Sequence, residues 1–177
     1  NTEGDVIYIS QALARRNPYK ASMKGSIPVN VLTRVSSANA APLDLDINLD
    51  HADMNALALF FNPVTSAEGP IKGYVKVSGA WDDPELRGYV SVKNGRIELL
   101  TLHDPIFPLN MDVKFDGKSA TVEGNAIFGT GKSSVKGGLE WDRGAIIAYN
   151  GEAHLHAPDI HSDYYKGSLD ADFGLGE

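Results

Sequence analysis

The chain contains no cysteine, which removes disulfides, thiolate metal sites and thiol nucleophiles together. That absence is compatible with a reducing or an oxidising compartment. There is no basic excess either: 16 Lys and Arg face 23 Asp and Glu, the net charge is −7, and apart from Arg15-Arg16 the cations stand singly. Nucleic acid, which is held through a basic face, is therefore not an expected partner. Long apolar runs are missing as well. The longest, ALALFF at 56–61, falls far short of the roughly 20 residues that cross a bilayer, and no signal peptide opens the chain. Large aromatics are scarce, with six Phe and two Trp.

A chain of 177 residues fits one domain with a core of its own. It starts without Met and stops just after an alternating run, at Leu175-Gly176-Glu177. The expectation is a single β domain over 1–177 that is a piece of a longer protein, with targeting or anchoring elements outside it.

What the chain does have is period-two alternation of apolar and polar residues, the mark of strands with one buried face. It runs through LDLDINLD (43–50), IKGYVKVSG (71–79), LRGYVSV (86–92), LNMDVKF (109–115) and SATVEGNAIFG (119–129). SSVKGGLEW (133–141), AIIAYNGEAHLHA (145–157) and GSLDADFGL (167–175) continue the series. Between them, Asp82-Asp83-Pro84, Asn94-Gly95, Asp116-Gly117, Thr130-Gly131 and Arg143-Gly144 supply a preset negative φ or a residue that tolerates a positive one. Such short links predict an antiparallel meander in which neighbours in sequence are neighbours in the sheet. One segment breaks the pattern: in DHADMNALALFFNP, Met54, Leu57, Ala58 and Phe61 recur at helical spacing behind a possible Asp53 N-cap, which predicts one short helix near 53–61. Residues 20–32 read as a strand, and 5–16 mix both periods. The Gly-x-Trp-Asp and Gly-x-x-Trp-Asp stretches at 79–82 and 138–142 are alike, but no fixed repeat echoes them.

Sorting each block by parity leaves one greasy and one wet face per strand. The greasy positions include Leu45, Ile47, Val75, Val77, Val90, Val92, Ile97, Leu99, Met111, Val113, Phe115, Val122, Ala126, Phe128, Val135, Leu139, Leu155, Leu169 and Phe173. A closed sandwich produces the same alternation. This greasy face is slight, however, with Gly and Ala recurring in it, and glycine inside a strand marks a bend or a close approach. A sheet so lined can curl around something apolar that the chain does not itself supply.

No group of residues forms a convincing catalytic constellation. Asp82, Asp83 and Glu85 beside Trp81 suggest a carbohydrate site, but three acids in one turn cannot flank a glycosidic bond, and Asp and Pro are what a turn needs. His154 and His156 share a strand face near His161, Asp159 and Asp163, a spacing that metal sites use and that a solvated strand face explains equally. GTGKSS at 129–134 lacks the spacing and following helix of a phosphate loop. No cofactor or metal is expected.

The order of these features carries a resemblance. GSIPVNV (25–31), the LDLDINLD strand, DMNALALFF and then EGPIKGYVKVSGAWDDPELRGYVSVKNGRIEL resemble the TamB-type translocation and assembly module proteins, part of the AsmA-like group of diderm bacteria. The matching elements are Gly73, Ser78-Gly79, Asp83-Pro84-Glu85-Leu86-Arg87-Gly88 and Asn94-Gly95, followed by IFGTGKSSVKGGLEWD with Gly129, Gly131 and Gly137-Gly138. The resemblance covers about 20–142, and the family's N-terminal inner-membrane anchor is not in this sequence. It implies a curved half-pipe sheet, or β-taco, with an apolar inner groove, on a periplasmic protein anchored in the inner membrane. It further implies conduction of phospholipid acyl chains to the outer membrane, or assembly of outer-membrane β-barrels with a TamA-like or BamA-like partner. On the first implication the groove residues work as a surface, and a charge at Val90 or Val113 should stop transport while the sheet persists. On the second, exposed edge strands pair with a client. A third class, a carbohydrate-binding domain, rests on Trp81 and its acids.

Overall fold

A computed structural model of the chain describes residues 6–16, 19–29, 41–55, 63–161 and 166–176. The alternating blocks form eleven strands: β1 Val6–Arg16, β2 Tyr19–Pro28, β3 Leu43–Asp53, β4 Val64–Glu68, β5 Pro70–Ala80 and β6 Asp83–Leu99, then β7 Ile106–Gly117, β8 Ser119–Phe128, β9 Gly131–Asp142, β10 Ala145–His161 and β11 Lys166–Gly176. They build one antiparallel sheet in the order β1, β2, β3, β5, β6, β7, β8, β9, β10, β11. The sheet is open and curved, with β1 and β11 at its two ends. Alternation fixes the register, since a slip of one residue would turn every greasy side chain to the wet side.

β4 departs from the meander. It pairs with the far half of β6 while β5 pairs with the near half, so β4 and β5 lie end to end along one partner. Asn94-Gly95, read from sequence as a turn, instead sits inside the 17-residue β6. Its positive φ of 54° at Asn94 serves a bulge: the ladder with β7 shifts between Val92 and Gly95. Similar shifts occur in β3 between Leu49 and Ala52, in β7 between Ile106 and Leu109, and in β10 between Ala157 and Ile160. Bulges bend the strand that carries them, and these lie along one oblique line that creases the sheet.

The core sits in that crease. Met54, Ala67 and Val92 are buried together, with Val64, Ile71, Ile97, Leu109 and Met111 packed around them. A Cβ at Gly95 would stand 2.8 Å from Met54 Sδ, so a glycine is what lets the thioether reach the sheet. Of the helix predicted near 53–61, the described residues hold only the first turn, which is 3₁₀ and is capped by Asp53 as the sequence suggested. Asp53 ends β3, and Met54-Asn55 make one tight turn in which the Asp53 carboxylate accepts the Asn55 N–H at 2.9 Å. The rest of that prediction, 56–61, lies outside the described residues, as do 30–32 of the strand predicted over 20–32.

Elsewhere the sheet covers little of itself. The chain exposes 11556 Å² at 19.0 kDa, against about 8,400 Å² for a compact monomer of that mass. Among the described residues the buried apolar side chains are Pro28, Leu45, Met54, Ala67, Val92, Ala120 and Ala157. A closed sandwich would bury one whole face, so the open alternative is the one that forms.

Candidate functional site

Strand pairing gathers the greasy residues into continuous rows. Directly opposed partners in an antiparallel ladder point to the same side, and Ile71, Val92, Met111, Gly124, Val135, Ala153 and Phe173 oppose one another strand after strand. A second row runs Ala21, Leu49, Gly73, Val90, Val113, Val122, Gly137, Gly151, Leu175. A third runs Met23, Ile47, Val75, Gly88, Phe115, Ala120, Leu139, Tyr149. Leu45 with Val77 and Leu86, Leu109 with Ala126, Ser133 and Leu155, and Ile97 with Ile106 and Phe128 extend the same face on either side. Leu99 follows Ile97 in parity, and Leu169 opposes Ala157. All nineteen residues sorted by parity therefore share one dry face. The pairing also adds Met23, Ile71, Ile106, Leu109 and Tyr149.

This face is covered at its middle and bare toward its end. Val92 is 2 % exposed beneath Met54, whereas Val135 is 42 %, Leu169 41 % and Phe173 56 %. Among the described residues it is Met54 that lies over the face at Val92. The glycines in the rows let backbones lie close: a Cβ at Gly73 would fall 2.3 Å from the Tyr89 carbonyl oxygen.

The wet face is tied together by hydrogen bonds and ion pairs. Tyr74 donates to Asp46 Oδ1 at 2.5 Å, Lys93 and Ser91 each donate to Asp112 at 2.6 Å, and Asn110 Nδ2 donates to Asn125 at 3.1 Å. The Tyr74 hydroxyl, with Lys76 and Lys24, holds the Asp46 carboxyl below its ordinary range, and Lys93 with Ser91 does so for Asp112. A concavity of about 790 Å³ opens over β8, β9 and β10, lined by Thr121, Glu123, Lys136 and Glu152 and also by Ala120, Val122, Leu139 and Tyr149.

The other residues singled out from sequence are engaged in pairs. Asp83 accepts from Lys118 Nζ at 2.5 Å and from the Arg143 N–H at 2.9 Å. His154 Nδ1 lies 2.6 Å from Asp172, a bond that raises the imidazole pKa, and His156 pairs with Asp170 across the same strands. Among the described residues no three His, Asp or Glu come together as a metal site. Gly129-Thr130 form the turn into β9, so GTGKSS continues as strand.

Compared with family models, with curated proteins and with solved structures, the chain finds no match. The reading of its function rests on the dry face itself.

Proposed function

We propose that this domain is a periplasmic lipid-transfer segment whose dry face carries phospholipid acyl chains between the inner and outer membranes. The observation that carries the reading is an apolar face that runs unbroken across nine strands set side by side and is exposed over much of β9 and β11. At about 4.8 Å per strand such a row is about 38 Å long, about two and a half times the roughly 15 Å that one leaflet's chains span. A row longer than its cargo suits movement along it better than a fixed seat. Each methylene withdrawn from water contributes about 0.8 kcal/mol, so a chain of ordinary length is held by on the order of 10 kcal/mol. Val, Leu, Ile and Phe supply that surface without directional contacts, so a chain can slide, and no residue need be catalytic.

Mass spectrometry of an organic extract of the protein purified from cells tests this. Co-purifying phospholipid is expected, and an extract free of lipid overturns the proposal. The sheet ends favour one second reading, a scaffold for outer-membrane β-barrels acting with a TamA-like or BamA-like partner. β1 and β11 are each eleven residues long and, among the described residues, each pairs on one side alone, as strand-addition sites do. A lipid-free extract with concentration-dependent self-association selects it.

A further inference from the structure

The two Trp-Asp stretches of the sequence meet in space. β6 and β9 are separated in the sheet by β7 and β8, which in a flat sheet would hold them about 14 Å apart. Beyond the tip of the β7–β8 hairpin they touch instead. Trp141 Nε1 donates to the Pro84 carbonyl oxygen at 3.0 Å, and the Arg143 N–H donates to Asp83 Oδ1 at 2.9 Å. At the hairpin tip Lys118 Nζ bridges both strands, donating to Asp83 Oδ2 at 2.5 Å and Asp142 Oδ1 at 2.8 Å. The Trp141 N–H closes the set on the Lys118 carbonyl oxygen at 3.0 Å. A Cβ at Gly144 would stand 3.4 Å from the Asp82 carbonyl oxygen, so turn meets turn.

Ladder hydrogen bonds join adjacent strands only. Contact between strands separated by two others therefore needs side chains, and Lys118 with Trp141 supplies them. Lys118 is raised in pKa by Asp142 and Asp83, and Asp83 is lowered by Lys118 and the Arg143 N–H, so each stays charged in the other's presence. The dry residues nearest this rim are Leu86, Phe115, Ala120 and Leu139, and Trp141 continues the parity of Leu139.

We propose that Lys118, Asp83, Asp142 and Trp141 form a latch that draws in the turn-side margin of the dry face between β6 and β9 and slows escape of a bound acyl chain there. The release role rests on the lipid-transfer reading; the latch itself does not. Its ionic half is half-exposed, with side-chain exposures of 36 % for Lys118, 27 % for Asp83 and 44 % for Asp142, so it opens readily and is sensitive to salt.

The absence of native cysteine allows pyrene labels at Asp82→Cys and Arg143→Cys, where excimer emission reports turn against turn. Lys118→Met is expected to lower the excimer ratio about threefold or more, the shift that losing a half-exposed ion pair brings. Trp141→Phe, which removes one neutral hydrogen bond, should lower it less. Should a variant fail to fold, salt raised to about 1 M on the otherwise unsubstituted pair must lower the ratio reversibly. An unchanged ratio under these perturbations overturns the latch. Release of a fluorophore-bearing long-chain fatty acid should quicken in Lys118→Met by a similar factor. Lost excimer with unchanged release overturns the role in escape while lipid transfer stands. A parent protein that binds no fatty acid overturns lipid transfer and the escape role, and the excimer result still decides whether the rim opens.

Discussion

Val92 and Val135 occupy the same row of the dry face, and a carboxylate at each should have opposite consequences. Val92 is 2 % exposed in the Met54 crease and Val135 is 42 % exposed on β9. Val92→Asp places a charge where no cation shares its surroundings in the apolar cluster, costing several kcal/mol in desolvation and forfeiting about 2 kcal/mol of valine burial. That approaches the 5–15 kcal/mol of a whole domain, so this variant should be largely unfolded. At 135 the carboxylate keeps its water, and the cost is the lower strand preference of Asp, about 1 kcal/mol, which moves a urea midpoint by about 0.5 M. Tryptophan fluorescence during urea titration reads both. Bound phospholipid should nonetheless fall about tenfold in Val135→Asp, the equivalent of about two methylenes no longer held. A Val135→Asp protein as unstable as Val92→Asp would mean that the face is covered at β9. A stable one with full lipid content would mean that lipid does not pass β9.

Two further outcomes follow from the crease and the wet face. Met54→Ala should cost about 2–5 kcal/mol by opening a cavity at a fully buried site, read as a lower urea midpoint, while Met54→Leu should cost under about 1.5 kcal/mol. His154, its pKa raised above 6.5 by Asp172, should titrate at higher pH by imidazole NMR and return toward 6.5 in Asp172→Asn. Because the shift is upward, this bond supports the β10–β11 edge fully below the ordinary value and is lost as pH rises through the raised one.

The two faces were legible in the sequence because parity is a local property: LDLDINLD states which side of a strand is dry without reference to any partner. What depended on a partner was not. Asn94-Gly95 provides positive φ, which a hairpin turn and a strand bulge both require. The outcome is decided by β7, which runs past the position and holds β6 straight on. Likewise the burial of Met54 depends on partners its own stretch does not name: Gly69 and Gly95 leave a space that takes its side chain, and the Met54 N–H bonds to the Gly69 carbonyl oxygen at 3.2 Å. VTSAE is too short and too mixed to announce β4. The kinship of the two Trp-Asp stretches was visible, but their contact arises from sheet curvature that neither stretch encodes.

An open sheet with a bare apolar face raises the question of what keeps it folded, and the bonding suggests a division of labour. Ladder hydrogen bonds join every neighbouring pair of strands, the wet face adds cross-strand bonds such as Ser91 to Asp112 and Tyr74 to Asp46, and the crease concentrates buried apolar contact around Met54. None of these requires Val135, Leu139, Leu169 or Phe173, the exposed dry residues of β9 and β11, to be covered. Those residues can then present apolar surface to a ligand without holding the fold, and a chain bound there can move without unsettling what holds the strands together. Substitutions that spare stability but alter lipid content should therefore cluster at Val135, Leu139, Leu169 and Phe173, whereas those that unfold the protein should cluster around Met54, Ala67 and Val92.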